Sequence, residues 1–120
     1  KLENEWLSKN PSNISIYNDD ELCGFTFTTN GFINLYKLLK RAFDVKLYRV
    51  QNKELEIFLI AGENDPVIQN NKKFEQLEKF LNNLGYKNTK RKLYSSLRHE
   101  ILNEEEYEQI YNDILKFIEN

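Results

Sequence analysis

The hydrophobic pattern divides the chain into an irregular amino-terminal part and a regular carboxyl-terminal part. Residues 57–61 form an unbroken apolar run that ends at Gly62, which is typical of a parallel strand covered on both faces. Apolar positions at helical spacing then predict a helix over about residues 70–84, with Gly85 as its left-handed carboxyl cap. A shorter, more polar strand is predicted over residues 89–94.

Two further amphipathic helices are predicted, one on each side of this region. The first begins after Gly31 and has one apolar face, formed by Phe32, Leu35, Tyr36, Leu39 and Phe43. The last begins at a capping box of Asn103 and Glu106, and its apolar face contains Tyr107, Ile110, Tyr111, Ile114, Leu115 and Ile118. The order strand, helix, strand, helix predicts an α/β fold with a right-handed parallel crossover, preceded by an irregular, partly helical segment.

Two strands cannot bury both faces of residues 57–61 and also satisfy their outer edges. More sheet is therefore expected from another chain or from a longer polypeptide. The absence of methionine at every position, including the first, also favours a piece of a longer protein. For the piece alone we predict self-association, through the open edge of the 57–61 strand or through the apolar stripe of residues 32–43.

Composition fits one globular domain and narrows the classes of partner. The chain has 120 residues, 40% of them hydrophobic, and a formal net charge of -2, which argues against nucleic acid as a partner. The basic residues of 87–92 alternate along a strand and are interpreted as a solvated edge. No apolar run is long enough for a transmembrane helix, and the single cysteine indicates a reducing, cytoplasmic compartment. Cys23 is interpreted as a buried structural thiol, with a nucleophilic role as the alternative.

The candidate chemistry follows the two predicted strands. Asp65 lies in the turn after the first strand and His99, the only histidine, in the turn after the second. Because the carboxyl ends of parallel strands meet at one edge of a sheet, the two side chains are expected to meet, as two members of a catalytic triad do. The alternatives are an aspartate that only forms the turn before Pro66 and a histidine on the surface. A metal site that also used Glu100 and Cys23 has no recognisable ligand spacing.

Residues 62–67 (Gly-Glu-Asn-Asp-Pro-Val), 92–94 and 98–104 resemble the carboxyl-terminal part of the α/β-hydrolases, in the branch of monoacylglycerol lipases, lysophospholipases and serine aminopeptidases. Residues 5–7 and 22–25 resemble the cap of these enzymes. The resemblance implies a cap over residues 1–44, core over 45–120, Asp65 as the triad acid and His99 as the general base, with no metal or organic cofactor. It also implies a lipid-like ester substrate, with an apolar pocket lined by Phe25, Phe27, Phe32 and Val67; for the phenylalanines, ordinary core is the alternative.

The chain departs from this family in one essential respect. None of its serines (Ser8, Ser12, Ser15, Ser95 and Ser96) has glycine both two residues before and two residues after it, so the G-x-S-x-G elbow is missing. The parent enzyme would acylate an upstream serine and deacylate with water activated by His99. The 120 residues alone are therefore expected to be inactive. The competing hypothesis is a non-catalytic α/β module that binds a partner through its open sheet edge and cap stripe.

Overall fold

A computed structural model describes residues 3–119 and shows two parallel strands with helices around them. The strands are β1 (Glu56–Gly62) and β2 (Asn88–Tyr94), and the helices are α1 (Pro11–Asp19), α2 (Thr29–Ala42), α3 (Asn71–Leu84) and α4 (Tyr107–Glu119). Single turns of 3-10 helix occur at Val45–Leu47, Pro66–Ile68 and Ile101–Asn103. The two strands pair in parallel along their whole length, from Glu56 opposite Asn88 to Gly62 opposite Tyr94. The α/β class and the strand-helix-strand-helix order are thus confirmed.

Helix α3 shows why its ends could be predicted. At its start the side chain of Asn70 accepts a hydrogen bond of 2.9 Å from the backbone N–H of Lys73. At its end Gly85 has φ of 111°, in the left-handed region where glycine is favoured over residues with a Cβ. Both signals are local in sequence, and the prediction is confirmed at both ends.

The starts of the other two amphipathic helices differ from the prediction. Helix α2 begins upstream of Gly31 because the Thr28 hydroxyl caps it, accepting a hydrogen bond of 3.1 Å from the Gly31 N–H. The capping box proposed for α4 is wrong: Asn103 ends a 3-10 turn and its side chain donates to Glu100 at 3.1 Å. Glu106 instead pairs with Lys9 at 2.6 Å, so its carboxylate is engaged outside the helix.

The buried core lies near the carboxyl ends of the strands. Tyr94, Leu97, Ile101 and Ile110 form one cluster, against which Ile60 and Ile114 pack. Strand β1 becomes fully buried only at Ala61 and Gly62. The expected cover on both faces of β1 is therefore incomplete along the described residues, and the best-packed part of the molecule is the edge from which the two loops leave the sheet.

The basic residues of β2 alternate between the two neighbouring helices, as predicted for a strand. Lys92 faces α4, where its ammonium lies 2.6 Å from a carboxylate oxygen of Asp113. Lys90, on the same side, lies over an aromatic ring of α4. Arg91 points the other way and pairs with Glu78 of α3 at 3.0 Å. These charges are used within the molecule, which fits the interpretation as a strand and not as a nucleic-acid surface.

Among residues 3–119, no helix combines the length and the apolar character that crossing a membrane requires.

Candidate active site

Asp65 and His99 lie next to each other at the carboxyl edge of the sheet. The carboxylate oxygen Oδ2 of Asp65 is 3.0 Å from Nδ1 of the His99 imidazole. Asp65 is only 6% exposed, whereas the His99 side chain is 38% exposed. An ionised carboxylate only accepts hydrogen bonds, so the contact requires the proton on Nδ1 and leaves the lone pair of a neutral imidazole on Nε2. Such a histidine can take a proton from a group at Nε2.

The Asp65 side chain has two functions, one for each carboxylate oxygen. Its Oδ1 accepts a hydrogen bond of 2.8 Å from the backbone N–H of Val67, which caps the 3-10 turn that begins at Pro66. Its Oδ2 faces His99. The turn-forming role that sequence suggested as an alternative is therefore combined with the contact to the imidazole, because the turn fixes the direction of the carboxylate.

Gly62 allows the two loops to approach each other. A Cβ atom at this position would overlap the backbone carbonyl groups of Leu97 and Arg98. In the same region the backbone N–H of Asn64 donates to the carbonyl of Leu97 at 2.8 Å. Because backbone meets backbone here, only a residue without a side chain fits, and the distance between Asp65 and the segment before His99 is set at Gly62.

The ring of Trp6, in the amino-terminal segment, packs against the His99 imidazole. The ring centroids of Trp6 and His99 are 5.2 Å apart, with an angle of 40° between the planes. The backbone also joins the two segments: the N–H of Glu100 donates to the carbonyl of Leu7 at 2.8 Å. Sequence analysis missed this contact, since nothing local marks a tryptophan as the neighbour of a histidine so distant along the chain.

A buried polar pair lies beside the His99 loop and was also missed. Glu104 is 1% exposed and Ser8 is fully buried. The Ser8 hydroxyl donates to the carboxylate of Glu104 at 2.8 Å. Glu104 belongs to a segment that the sequence analysis assigned to the start of a helix, and only the three-dimensional contact reveals its role.

The predicted substrate-lining residues are all exposed. The ring centroid of Phe27 is 5.5 Å from that of Phe25 and 5.6 Å from that of Phe32, and all three side chains are exposed. The alternative that they are ordinary core is therefore wrong. Val67 instead lines an apolar groove of about 690 Å³, whose other apolar walls are Leu39, Phe43, Ile68, Phe74, Leu77 and Phe80.

Glu100 and Cys23, the other two residues considered for a metal site, lie in different surroundings. The Glu100 carboxylate accepts hydrogen bonds from the side chains of Asn13 at 2.6 Å and Asn103 at 3.1 Å. Cys23 is half-buried, so its interpretation as a buried thiol is wrong; it lies in a turn between α1 and α2. Desolvation and the neighbouring Asp20 carboxylate raise the pKa of this thiol, which disfavours a nucleophilic thiolate. Within residues 3–119, no cluster of three or more histidine, cysteine or carboxylate side chains is arranged to hold a metal ion.

A carboxylate and an imidazole that meet where two parallel strands end are arranged as the acid and the histidine are in α/β-hydrolases. Residues 1–106 match the family model described as serine aminopeptidase, S33, and the chain belongs to that family.

Solved structures support the same fold. A thermostable carboxyl esterase from Bacillus coagulans, in complex with glycerol, is 25% identical with a TM-score of 0.79. A monoacylglycerol lipase from Paleococcus ferrophilus is 20% identical with a TM-score of 0.71. Each alignment covers 97% of this chain, but only 38% of the esterase and 42% of the lipase. The chain thus corresponds to about two fifths of these structures. A comparison with curated proteins found no match.

Proposed function

We propose that this chain is the acid and histidine half of a serine ester hydrolase, with Asp65 and His99 as two members of the catalytic triad. The observation that carries the proposal is the 3.0 Å contact between the buried Asp65 carboxylate and Nδ1 of His99. A surface histidine paired by chance would not be expected to have a nearly buried partner whose second oxygen is fixed by its own turn.

The proposed roles follow from the protonation that this contact requires. The nucleophilic serine comes from the remainder of the enzyme, and His99 accepts its proton at Nε2 during acylation. Asp65 holds the imidazole in the required tautomer and stabilises the imidazolium that forms. In deacylation His99 takes a proton from water in the same way. The oxyanion donors would also come from outside these residues, and losing one such donor typically lowers the rate by about 100- to 1000-fold.

For the substrate we propose a lipid-like carboxylic ester of the monoacylglycerol or lysophospholipid type. The structural relatives support this class, since one is a carboxyl esterase and the other a monoacylglycerol lipase. Exposed aromatic rings at Phe25, Phe27 and Phe32 and the apolar groove at Val67 offer surfaces for an acyl chain. Residues 1–44 would act as the cap over this substrate and residues 45–120 as core, in a cytoplasmic enzyme.

The decisive test is hydrolysis of a chromogenic short-chain ester. The 120-residue chain should be inactive, and the chain joined to an upstream segment with a serine elbow should be active. In the joined protein Asp65→Asn and His99→Ala should each remove nearly all turnover, whereas Glu100→Gln, beside the histidine, should retain it. Turnover that survives in both triad variants would refute the assignment of Asp65 and His99.

We further propose that the chain alone self-associates. No residue of α2 is buried, although the helix has a strongly apolar face. In the described part of the chain β1 pairs only with β2, so its other edge lacks a partner strand. Light scattering should show a mass above the monomer that rises with concentration. A constant monomer mass would contradict self-association.

A further inference from the structure

We propose that Glu104 is a positioning residue for His99: through Ser8 and the backbone at Arg98 it fixes the loop that holds the imidazole against Asp65. The inference rests on the proposed function, since it concerns the geometry of the same pair. Glu104 itself contacts neither reacting atom. Its role is to fix the position of the His99 imidazole.

The two oxygens of the Glu104 carboxylate accept hydrogen bonds from two different segments of the chain. One oxygen, Oε2, accepts hydrogen bonds of 2.8 Å from the hydroxyl of Ser8 and 2.8 Å from the backbone N–H of Lys9. The other oxygen, Oε1, accepts one of 3.0 Å from the backbone N–H of Arg98, the residue before His99. The buried side chain therefore bridges the amino-terminal segment and the His99 loop. A carboxylate with 1% exposure is tolerated only when donors surround it in this way.

Arg98 strengthens the same bridge from the opposite side. Its guanidinium donates to the carbonyl of Ser8 at 3.0 Å and also to the carbonyl of Glu5. Hydrogen bonds thus run in both directions between the two segments. Their partners in the amino-terminal segment lie before and after Trp6 in the sequence. The amino-terminal segment cannot shift relative to the loop unless several of these bonds break together.

The amino-terminal segment that Glu104 fixes contains Trp6, which contacts His99 directly. Trp6 places its ring 5.2 Å from that of His99, and its carbonyl lies 3.5 Å from the His99 backbone nitrogen. The imidazole is held by the Asp65 carboxylate on one side and by this segment on another. Without the hydrogen bonds of Glu104, the His99 loop and the segment with Trp6 are no longer fixed to each other. The contact between Nδ1 of His99 and Asp65 should then lengthen.

The two possible roles of Glu104 make different predictions. A structural role alone would lower the free energy of unfolding but leave the His99 environment of the folded molecules unchanged. A positioning role changes the state of the imidazole in molecules that remain folded. The chain has one histidine and one tryptophan, so a signal from either ring is unambiguous.

The experiment measures the ¹⁵N chemical shifts of the His99 ring nitrogens, which report the tautomer, in the 120-residue chain at mildly alkaline pH where imidazole groups are neutral. In the wild-type chain we expect the Nδ1-protonated tautomer to predominate. Glu104→Gln keeps the size but not the charge, and should shift the ring towards the Nε2-protonated tautomer while far-UV circular dichroism stays unchanged. Ser8→Ala should shift it in the same direction and by less.

Controls separate this inference from the proposed function. Asp113→Asn makes the same carboxylate-to-amide change in the contact between β2 and α4 and should leave the His99 shifts unchanged. Asp65→Asn should change them strongly; if it does not, the triad pair itself is refuted. If Asp65→Asn changes the shifts but folded Glu104→Gln does not, only the positioning role is overturned. If Glu104→Gln fails to fold, unchanged shifts in Ser8→Ala overturn it instead.

Discussion

The loops that carry Asp65 and His99 and the helix α2 differ greatly in how well the chain supports them. The loops leave the sheet above the buried cluster that contains Ile110, and hydrogen bonds join their backbones to each other. Helix α2 has an amphipathic pattern as regular as that of α3, yet it buries none of its residues. The pattern of a helix predicts which face is apolar, but the partner for that face must be present to bury it.

This contrast implies that the free energy of folding is concentrated at the edge with Asp65 and His99.

The largest effect is expected at Ile110, whose side chain is fully buried in the core cluster beneath the two loops. Ile110→Ala should lower the free energy of unfolding by about 2–5 kcal/mol, because it leaves a cavity. Leu115→Ala is the matched control: it lies on the same helix but is half-exposed, and should cost less than about 1 kcal/mol. Urea denaturation followed by circular dichroism measures both. Equal losses would contradict the idea that the buried face of α4, at Ile110, is what supports this edge.

The next effect is expected at Gly62. Gly62→Ala places a Cβ against the carbonyls of Leu97 and Arg98, so the two loops must separate, at a cost of about 1–3 kcal/mol. The same shift should move the His99 imidazole away from Asp65, which its ring ¹⁵N shifts would record. Gly31→Ala, in helix α2, is the control and should change stability by less than about 1 kcal/mol. A Gly62→Ala chain with wild-type stability would contradict the close approach of the loops.

Features that neighbouring residues determine could be predicted from the sequence, whereas contacts between residues far apart along the chain could not. The cap at Gly85 and the strand ends before Asp65 and His99 are encoded within a few neighbouring residues, and parallel pairing then brings the two side chains together. Trp6 and Glu104 act across most of the chain, and no periodicity or motif connects them with His99. The capping box at Asn103 failed because both side chains have other partners: Asn103 donates to the nearby Glu100, and Glu106 pairs with the distant Lys9.

A smaller, pH-dependent effect is expected at Asp113, which joins β2 to α4. Hydrogen bonds from Lys92 at 2.6 Å and from the hydroxyl of Tyr94 at 2.8 Å lower the pKa of this carboxyl in the folded protein. A lowered pKa means that the stabilisation is present above the ordinary aspartate value of about 3.9 and disappears as the pH falls through the folded value. Asp113→Asn should therefore lower stability at neutral pH by about 1–2 kcal/mol.

The acid dependence provides the check on this prediction. In the wild-type chain the free energy of unfolding should fall towards acidic pH more steeply than in Asp113→Asn, and the two curves should converge at low pH. Urea titrations at a series of pH values measure the difference. Parallel curves over the whole acid range would show that the Asp113 contact adds no pH-dependent stability.

The smallest effect on folding is expected in α2, and it sharpens the contrast with the loops. Tyr36 belongs to the apolar stripe and is largely exposed, so Tyr36→Ala should change the free energy of unfolding of the monomer by no more than about 0.5 kcal/mol. If α2 holds copies of the chain together, the same substitution should weaken the concentration-dependent mass seen by light scattering, because the apolar stripe would then be buried between molecules. Lys37→Ala, on the same helix, removes a charged side chain that is not part of the apolar stripe, and should leave that mass unchanged. A loss of monomer stability at Tyr36 that approached the loss at Ile110 would mean that α2 is supported within the chain, and the difference between the two regions would disappear.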